Sequence, residues 1–225
     1  MRMKMFLKYF INLVFYITAL INVNAQQPPF WDEIQAFKKQ DSLHMPLADQ
    51  ILFIGSSSFT MWKDVQNYFP GYPIINRGFG GSSLPDIILH ANDIILPYQP
   101  KQIFIYCGEN DLAASDTITP LNVLNRFQQL FFLVRSWLPS VPVAYVSMKP
   151  SPSRQHLMPK MLETNRMIQK FLKKKRRTSF VDVYRKMLGP DGKPLKNIFL
   201  EDELHMNAMG YKIWQRAIEP YLLKE

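Results

Sequence analysis

The chain has 225 residues, a formal net charge of +9 and one cysteine; 47% of its residues are hydrophobic and 13% aromatic. Those proportions exclude wholesale disorder. Nine glycines without a G-X-Y period exclude a collagen helix, and the single Cys107 excludes an internal disulfide framework or a cysteine-built zinc site. No repeat with a period of 20–50 residues is visible.

The chain opens with the pattern of a secretory signal, predicted over residues 1–25. Arg2, Lys4 and Lys8 precede an uncharged run from Tyr9 to Val23, and the run ends in the small residues Val23-Asn24-Ala25. The competing reading is an uncleaved anchor. Fifteen residues rising ~1.5 Å each reach only ~22 Å, short of a ~30 Å hydrocarbon core. No cysteine follows that would carry a lipoprotein anchor. Cleavage removes three basic residues, lowering the charge from +9 to +6. The expectation is an exported domain over residues 26–225, periplasmic or extracellular, with no stable membrane insertion after cleavage. The densest basic run, Lys173 to Arg177, closes an apparent helix, where cations complement the dipole in solvent. It carries no interleaved aromatics, so no nucleic-acid partner is expected.

Beyond the signal, a helix is predicted from Trp31 to about Lys39. Short apolar runs follow at Ile51–Ile54, Pro73–Asn76, Ile103–Cys107, Val141–Val146 and Ser179–Val181, each rich in Val, Ile, Phe or Tyr as buried strands are. Between them lie one-face helical spacings: Leu124, Phe127, Phe131 and Val134; then Met161, Asn165, Ile168 and Leu172; then Met209, Ile213, Ala217 and Tyr221. Asn207 is placed to cap the last helix. Strands alternating with helices predict one α/β domain, a three-layer α/β/α sandwich on a five-stranded parallel, flavodoxin-like sheet. In such sheets the site lies beyond the carboxyl ends of the strands.

The loops after those strands carry the chemistry. Gly55-Ser56-Ser57-Ser58 follows the first strand, and Asn76-Arg77-Gly78-Phe79-Gly80-Gly81-Ser82-Ser83 the second. Gly108-Glu109-Asn110-Asp111 follows the third, and Glu201-Asp202-Glu203-Leu204-His205 comes near the C-terminus. A serine, a glycine loop, an asparagine and an Asp-x-x-His are the parts of a serine acyl hydrolase. A serine hydroxyl needs a base within hydrogen-bond reach. Of His44, His90, His156 and His205, only His205 has an aspartate three residues earlier, able to hold its ring from the same loop. Charge developing on an acyl oxygen needs donors aimed at it, which a glycine N–H and the Asn110 carboxamide can supply.

The four blocks, in this order and across nearly the whole mature chain, resemble the SGNH/GDSL hydrolase family. The resemblance implies a catalytic Ser57 with His205 as base and Asp202 as its partner. It implies an oxyanion hole of Ser57, Gly81 and Asn110, and no metal or organic cofactor. The family's Asp-Ser-Leu is Ser56-Ser57-Ser58 here, a Gly-Ser-Ser start; Ser57, three residues past Ile54, occupies the nucleophile position. The function implied is an exported serine esterase acting through an acyl-enzyme on small-molecule or glycan esters. Short acyl groups, acetyl above all, are expected, since no long apolar lid is visible. A lysophospholipase or platelet-activating-factor-type esterase is the alternative, and an inert binding module on the same fold is a second. An α/β-hydrolase proper would show a G-x-S-x-G elbow, and a flavodoxin-like nucleotide binder leaves Asp202 and His205 unexplained.

Other residues receive structural readings. Asp111 is expected to tie down its own loop. Lys149, Arg154 and the loop Met148–Met158 are expected to overhang the pocket as a solvated rim, with substrate contact as the competing reading. Phe59 and Trp62 read as core, His90 and His156 as surface histidines, and Cys107 as a buried thiol.

Overall fold

A computed structural model describes residues 27–224. The predicted signal segment and its cleavage point lie outside them. The chain divides into two units, Met1–Trp31 and Asp32–Glu225. Of the first, the described residues form a turn in which the Trp31 N–H donates to Pro28 O at 3.2 Å.

The second unit is an alternating α/β chain. Its strands are β1 (Ile51–Gly55), β2 (Ile74–Gly78), β3 (Gln102–Tyr106), β4 (Val143–Val146) and β5 (Thr178–Val181). The α-helices among the described residues are α1 (Trp31–Leu43), α2 (Ser57–Thr60), α3 (Val65–Tyr68), α4 (Leu84–Leu89), α5 (Ala91–Ile94), α6 (Glu109–Ala113), α7 (Pro120–Trp137), α8 (Met158–Leu172) and α9 (Ala208–Ile218). All strand pairs are parallel, in the order β2-β1-β3-β4-β5. This is the flavodoxin-like order, whose topological switch point lies between β1 and β3.

The central strands read as unbroken apolar runs because both sheet faces are covered. On one face Ile51, Phe53, Phe104, Tyr106, Ala144 and Val146 join Phe59, Trp62 and Trp214 in a single buried cluster. The opposite face carries Tyr145, met by Phe127 of α7 with ring centroids 4.9 Å apart. Each side chain of this kind, fully buried, contributes about 1.5–3 kcal/mol. Phe59 and Trp62 are fully buried as expected, and so is Cys107, whose thiol burial pushes well above its ordinary range.

Two expectations need correcting. The buried face of α9 is Gly210, Tyr211, Trp214, Ala217 and Ile218, whereas Met209 and Tyr221 of the expected stripe are exposed. The larger aromatic surface of Trp214 and Tyr211 decides which way the helix turns. His90 is not a surface residue: it is 3% exposed and packs edge-to-face on Phe79.

Candidate active site

β1 ends against the backbone of β3. Gly55 has φ +150°, and a Cβ there would sit 2.0 Å from Tyr106 O, so only glycine fits. The Ser56 N–H donates to Tyr106 O at 3.0 Å, and Ser56 O accepts from Phe59 N–H at 2.9 Å, opening the helical turn α2. Burial of Phe59 anchors this turn and sorts the three serines. Ser56 and Ser58 are buried, at 3% and 2% exposure, while Ser57 between them is half-buried and accessible. The Ser57 N–H and hydroxyl have no hydrogen-bond partner among the described residues.

The glycine loop after β2 is tied on both sides. The Ser82 hydroxyl donates to Gly55 O at 3.2 Å, and Ser82 O accepts from Asn110 Nδ2 at 3.0 Å. Gly81 has φ +76°, and a Cβ there would meet nothing within 4 Å. The position calls for glycine through its backbone conformation rather than through crowding. Asp111 does more than tie down its own loop. It is fully buried, accepting the Leu84 N–H at the start of α4 at 2.9 Å and pairing with Arg126 at 2.8 Å. Burial pushes its pKa up against those two partners. It thereby docks the helix that follows the glycine loop onto the end of β3.

Asn110 stands on the first turn of α6, beyond β3. Its Oδ1 accepts from Arg154 Nη1 at 3.0 Å while its Nδ2 donates to Ser82 O. Beside it lies a buried ionic cluster that the sequence reading missed. Glu109 accepts the Tyr106 hydroxyl at 2.5 Å, Lys149 Nζ at 3.2 Å and Arg154 Nη1 at 3.1 Å. Lys149 is 1% exposed, so it is no solvated rim; Arg154 retains 20% side-chain exposure. Burial pushes the Glu109 carboxyl up, but Lys149, Arg154 and Tyr106 outweigh it and hold the group ionised, below the usual carboxylate range. Burial draws the Lys149 ammonium down, with Glu109 opposing.

Asp202 and His205 sit on a loop closed by an isolated antiparallel bridge, Phe199 to Met206, and by the Leu200 N–H donating to His205 O at 2.8 Å. Asp202 Oδ1 accepts the Leu204 and His205 N–H groups, each at 2.9 Å, and its Oδ2 lies 2.5 Å from His205 Nδ1. Burial pushes the Asp202 carboxyl up, yet these hydrogen bonds dominate and bring it down to about 2. A carboxylate on Nδ1 assigns the proton there and leaves Nε2 as the acceptor. Asn207 caps α9 behind the loop, accepting from Met209 N–H at 2.9 Å.

Asp202 and His205 are thus brought together, as are Asn110 and the glycine loop. Ser57 Oγ and His205 Nε2 share no hydrogen bond, and neither has another partner among the described residues. One tie joins the serine turn to the helix after His205, and another joins the Asp202–His205 loop to the turn after β4. Tyr211 of α9 donates to Ser58 O at 3.0 Å, and Ser153 donates to Glu203 O through both its N–H, at 3.2 Å, and its hydroxyl, at 3.0 Å. No group of three His, Cys, Asp or Glu able to hold a metal occurs among the described residues. No helix among them is long and apolar enough to cross a membrane. Two cavities of about 410 and 440 Å³ lie elsewhere. One is lined by Phe37, Gln66, Asn76 and Arg77, the other by Phe132, Arg135, Lys175 and Arg177.

A family model described as GDSL-like Lipase/Acylhydrolase family matches residues 55–213. No curated protein matches the chain in sequence. Among solved structures, the fold is similar to that of a protein from Streptococcus pneumonia named as a platelet activating factor (TM-score 0.74, 21% identity, 85% of this chain and 92% of that one). It is similar to a GDSL-like lipase from Bacteroides thetaiotaomicron (0.71, 19%, 84% and 96%). It is also similar to a variant of an acetyl xylan esterase from Geobacillus stearothermophilus (0.59, 14%, 77% and 95%).

Proposed function

Because the chain belongs to the GDSL-like lipase/acylhydrolase family and is an ester hydrolase, we propose that it cleaves short-chain acyl esters, acetyl esters first, through Ser57, His205 and Asp202. The observation that carries this reading is the His205–Asp202 pair at 2.5 Å, its Nε2 unengaged, in a fold where Ser57 is the accessible serine of its turn. Ser57 Oγ attacks the ester carbonyl carbon while its proton passes to His205 Nε2. The imidazolium formed is stabilised by Asp202, which remains ionised. The oxyanion faces the Ser57 and Gly81 N–H groups and the second Nδ2 hydrogen of Asn110, the one not given to Ser82. Collapse expels the alkoxide, which takes the proton from His205. Water, deprotonated by the same nitrogen, then releases the acid and restores Ser57.

The structural neighbour named as an acetyl xylan esterase supports a short acyl group. The neighbour named as a platelet activating factor supports the second reading, a lipid esterase on the same machinery. Export to the periplasm or beyond rests on the charge pattern of residues 1–25. The deciding experiment is fluorophosphonate labelling followed by peptide mass analysis. Ser57 is expected to carry the adduct, and Ser57→Ala to lose both label and activity with an unchanged melting curve. A label on Ser56 or Ser58 would overturn the assignment.

A further inference from the structure

The Asn110 carboxamide is locked from both sides. Its oxygen accepts from the Arg154 guanidinium at 3.0 Å, and its nitrogen donates to Ser82 O at 3.0 Å. Turning the amide over would set NH₂ against the Nη1 donor and oxygen against a carbonyl oxygen, so both contacts would become repulsive. With this orientation fixed, one Nδ2 hydrogen goes to Ser82 and the other is left for the reacting centre. Only Ser82 would oppose the flip if Arg154 were absent. A flipped amide would present an acceptor where the oxyanion develops.

Arg154 is itself held in place. The same Nη1 lies 3.1 Å from Glu109 Oε1, and Glu109 is fixed by Lys149 and Tyr106. The Arg154 N–H donates to Ser151 O at 3.2 Å, while its neighbour Ser153 donates twice to Glu203 O, between Asp202 and His205. The turn after β4 therefore touches Asn110 on one side and the acid–base loop on the other.

We propose that Arg154 is a positioning residue for ester hydrolysis, clamping the Asn110 carboxamide so that its free N–H faces the oxyanion. The proposal rests on the reading of Asn110 as an oxyanion donor. It predicts an effect on transition-state stabilisation, hence on kcat, and little on ground-state binding.

The experiment is a double-mutant cycle on the full-length chain with p-nitrophenyl acetate, using Asn110→Ala, Arg154→Met and their combination, with thermal melts of each. Misplacing an oxyanion donor is expected to cost roughly 10- to 100-fold in kcat, with KM within about twofold. Added to Asn110→Ala, Arg154→Met should cost less than about twofold, because its target is gone. Arg154→Lys, which keeps a cation beside Glu109 and can reach the same oxygen, should recover part of the loss. If Arg154→Met does not fold, the Arg154→Lys cycle decides by the same criterion. Equal losses in both backgrounds would overturn the proposal, as would a raised KM at unchanged kcat, which marks a substrate contact. Full activity of Asn110→Ala would overturn both this proposal and the oxyanion reading of Asn110. Inactivity of Ser57→Ala would still leave the serine esterase standing.

Discussion

Replacing Glu109 by Gln removes one charge from the cluster beneath the site and almost no volume. Lys149 is 1% exposed, and Glu109 is the carboxylate it contacts. Stripping the partner from a buried ion costs about 3–5 kcal/mol, because the remaining charge is left desolvated and unpaired. Against a typical domain stability of 5–15 kcal/mol, that is a large fraction. At roughly 2–4 °C per kcal/mol for a domain of 150–250 residues, the melting temperature should fall by about 6–20 °C. Urea unfolding followed by circular dichroism at pH 7 measures the same loss as a lower midpoint at unchanged slope.

Adding Lys149→Met to Glu109→Gln should return part of that stability, since neither member then carries an uncompensated buried charge. The pH dependence gives an independent sign. The folded-state pKa of Glu109 is depressed, so its contribution is present above the unfolded carboxylate pKa, about 4.3, and is lost as pH falls through the lower folded value. Asp202 behaves alike, its contribution fading between its ordinary value of 3.8 and about 2. Glu109→Gln should therefore flatten the acid limb of the stability curve while leaving the Asp202 portion. A loss below about 1 kcal/mol at pH 7, or an acid limb identical to that of the parent chain, would refute the reasoning.

The remaining predictions concern substrate and processing. Acetyl and butyryl p-nitrophenyl esters should be cleaved at higher kcat/KM than octanoyl or longer ones. A long chain gains about 0.8 kcal/mol per buried CH₂ only where a groove exists to bury it, so a profile climbing to C8 or C12 would favour the lipid-esterase reading. Expressed in an exporting host, the protein should yield Gln26 as its first residue on N-terminal sequencing, and a mature chain retaining Met1 would favour the uncleaved anchor.

What could be read in the sequence divides along physical lines. The central strands were legible because burial on both faces leaves no polar alternation, as in Ile51-Leu52-Phe53-Ile54. Asp202 and His205 were legible because both lie on one short loop, where three residues of spacing suffice to bring the ring and the carboxylate together. Glu109 and Lys149 were not, because charged residues forty positions apart meet only once β3 and β4 pair, and each alone resembles a solvated side chain. A signal was nonetheless present. Glu109 and Lys149 each stand three residues past the end of adjacent parallel strands, which places them on the carboxyl edge of the sheet, where doubly wound folds hold their sites. A charge of each sign in that position, immediately beside Asn110, is hard to leave in solvent without opening the site to water. The pair lies next to the asparagine, with Glu109 accepting the Tyr106 hydroxyl, and Arg154, five positions beyond Lys149, bridges Glu109 Oε1 at 3.1 Å and Asn110 Oδ1 at 3.0 Å, the contact on which the clamp proposed for the Asn110 carboxamide depends.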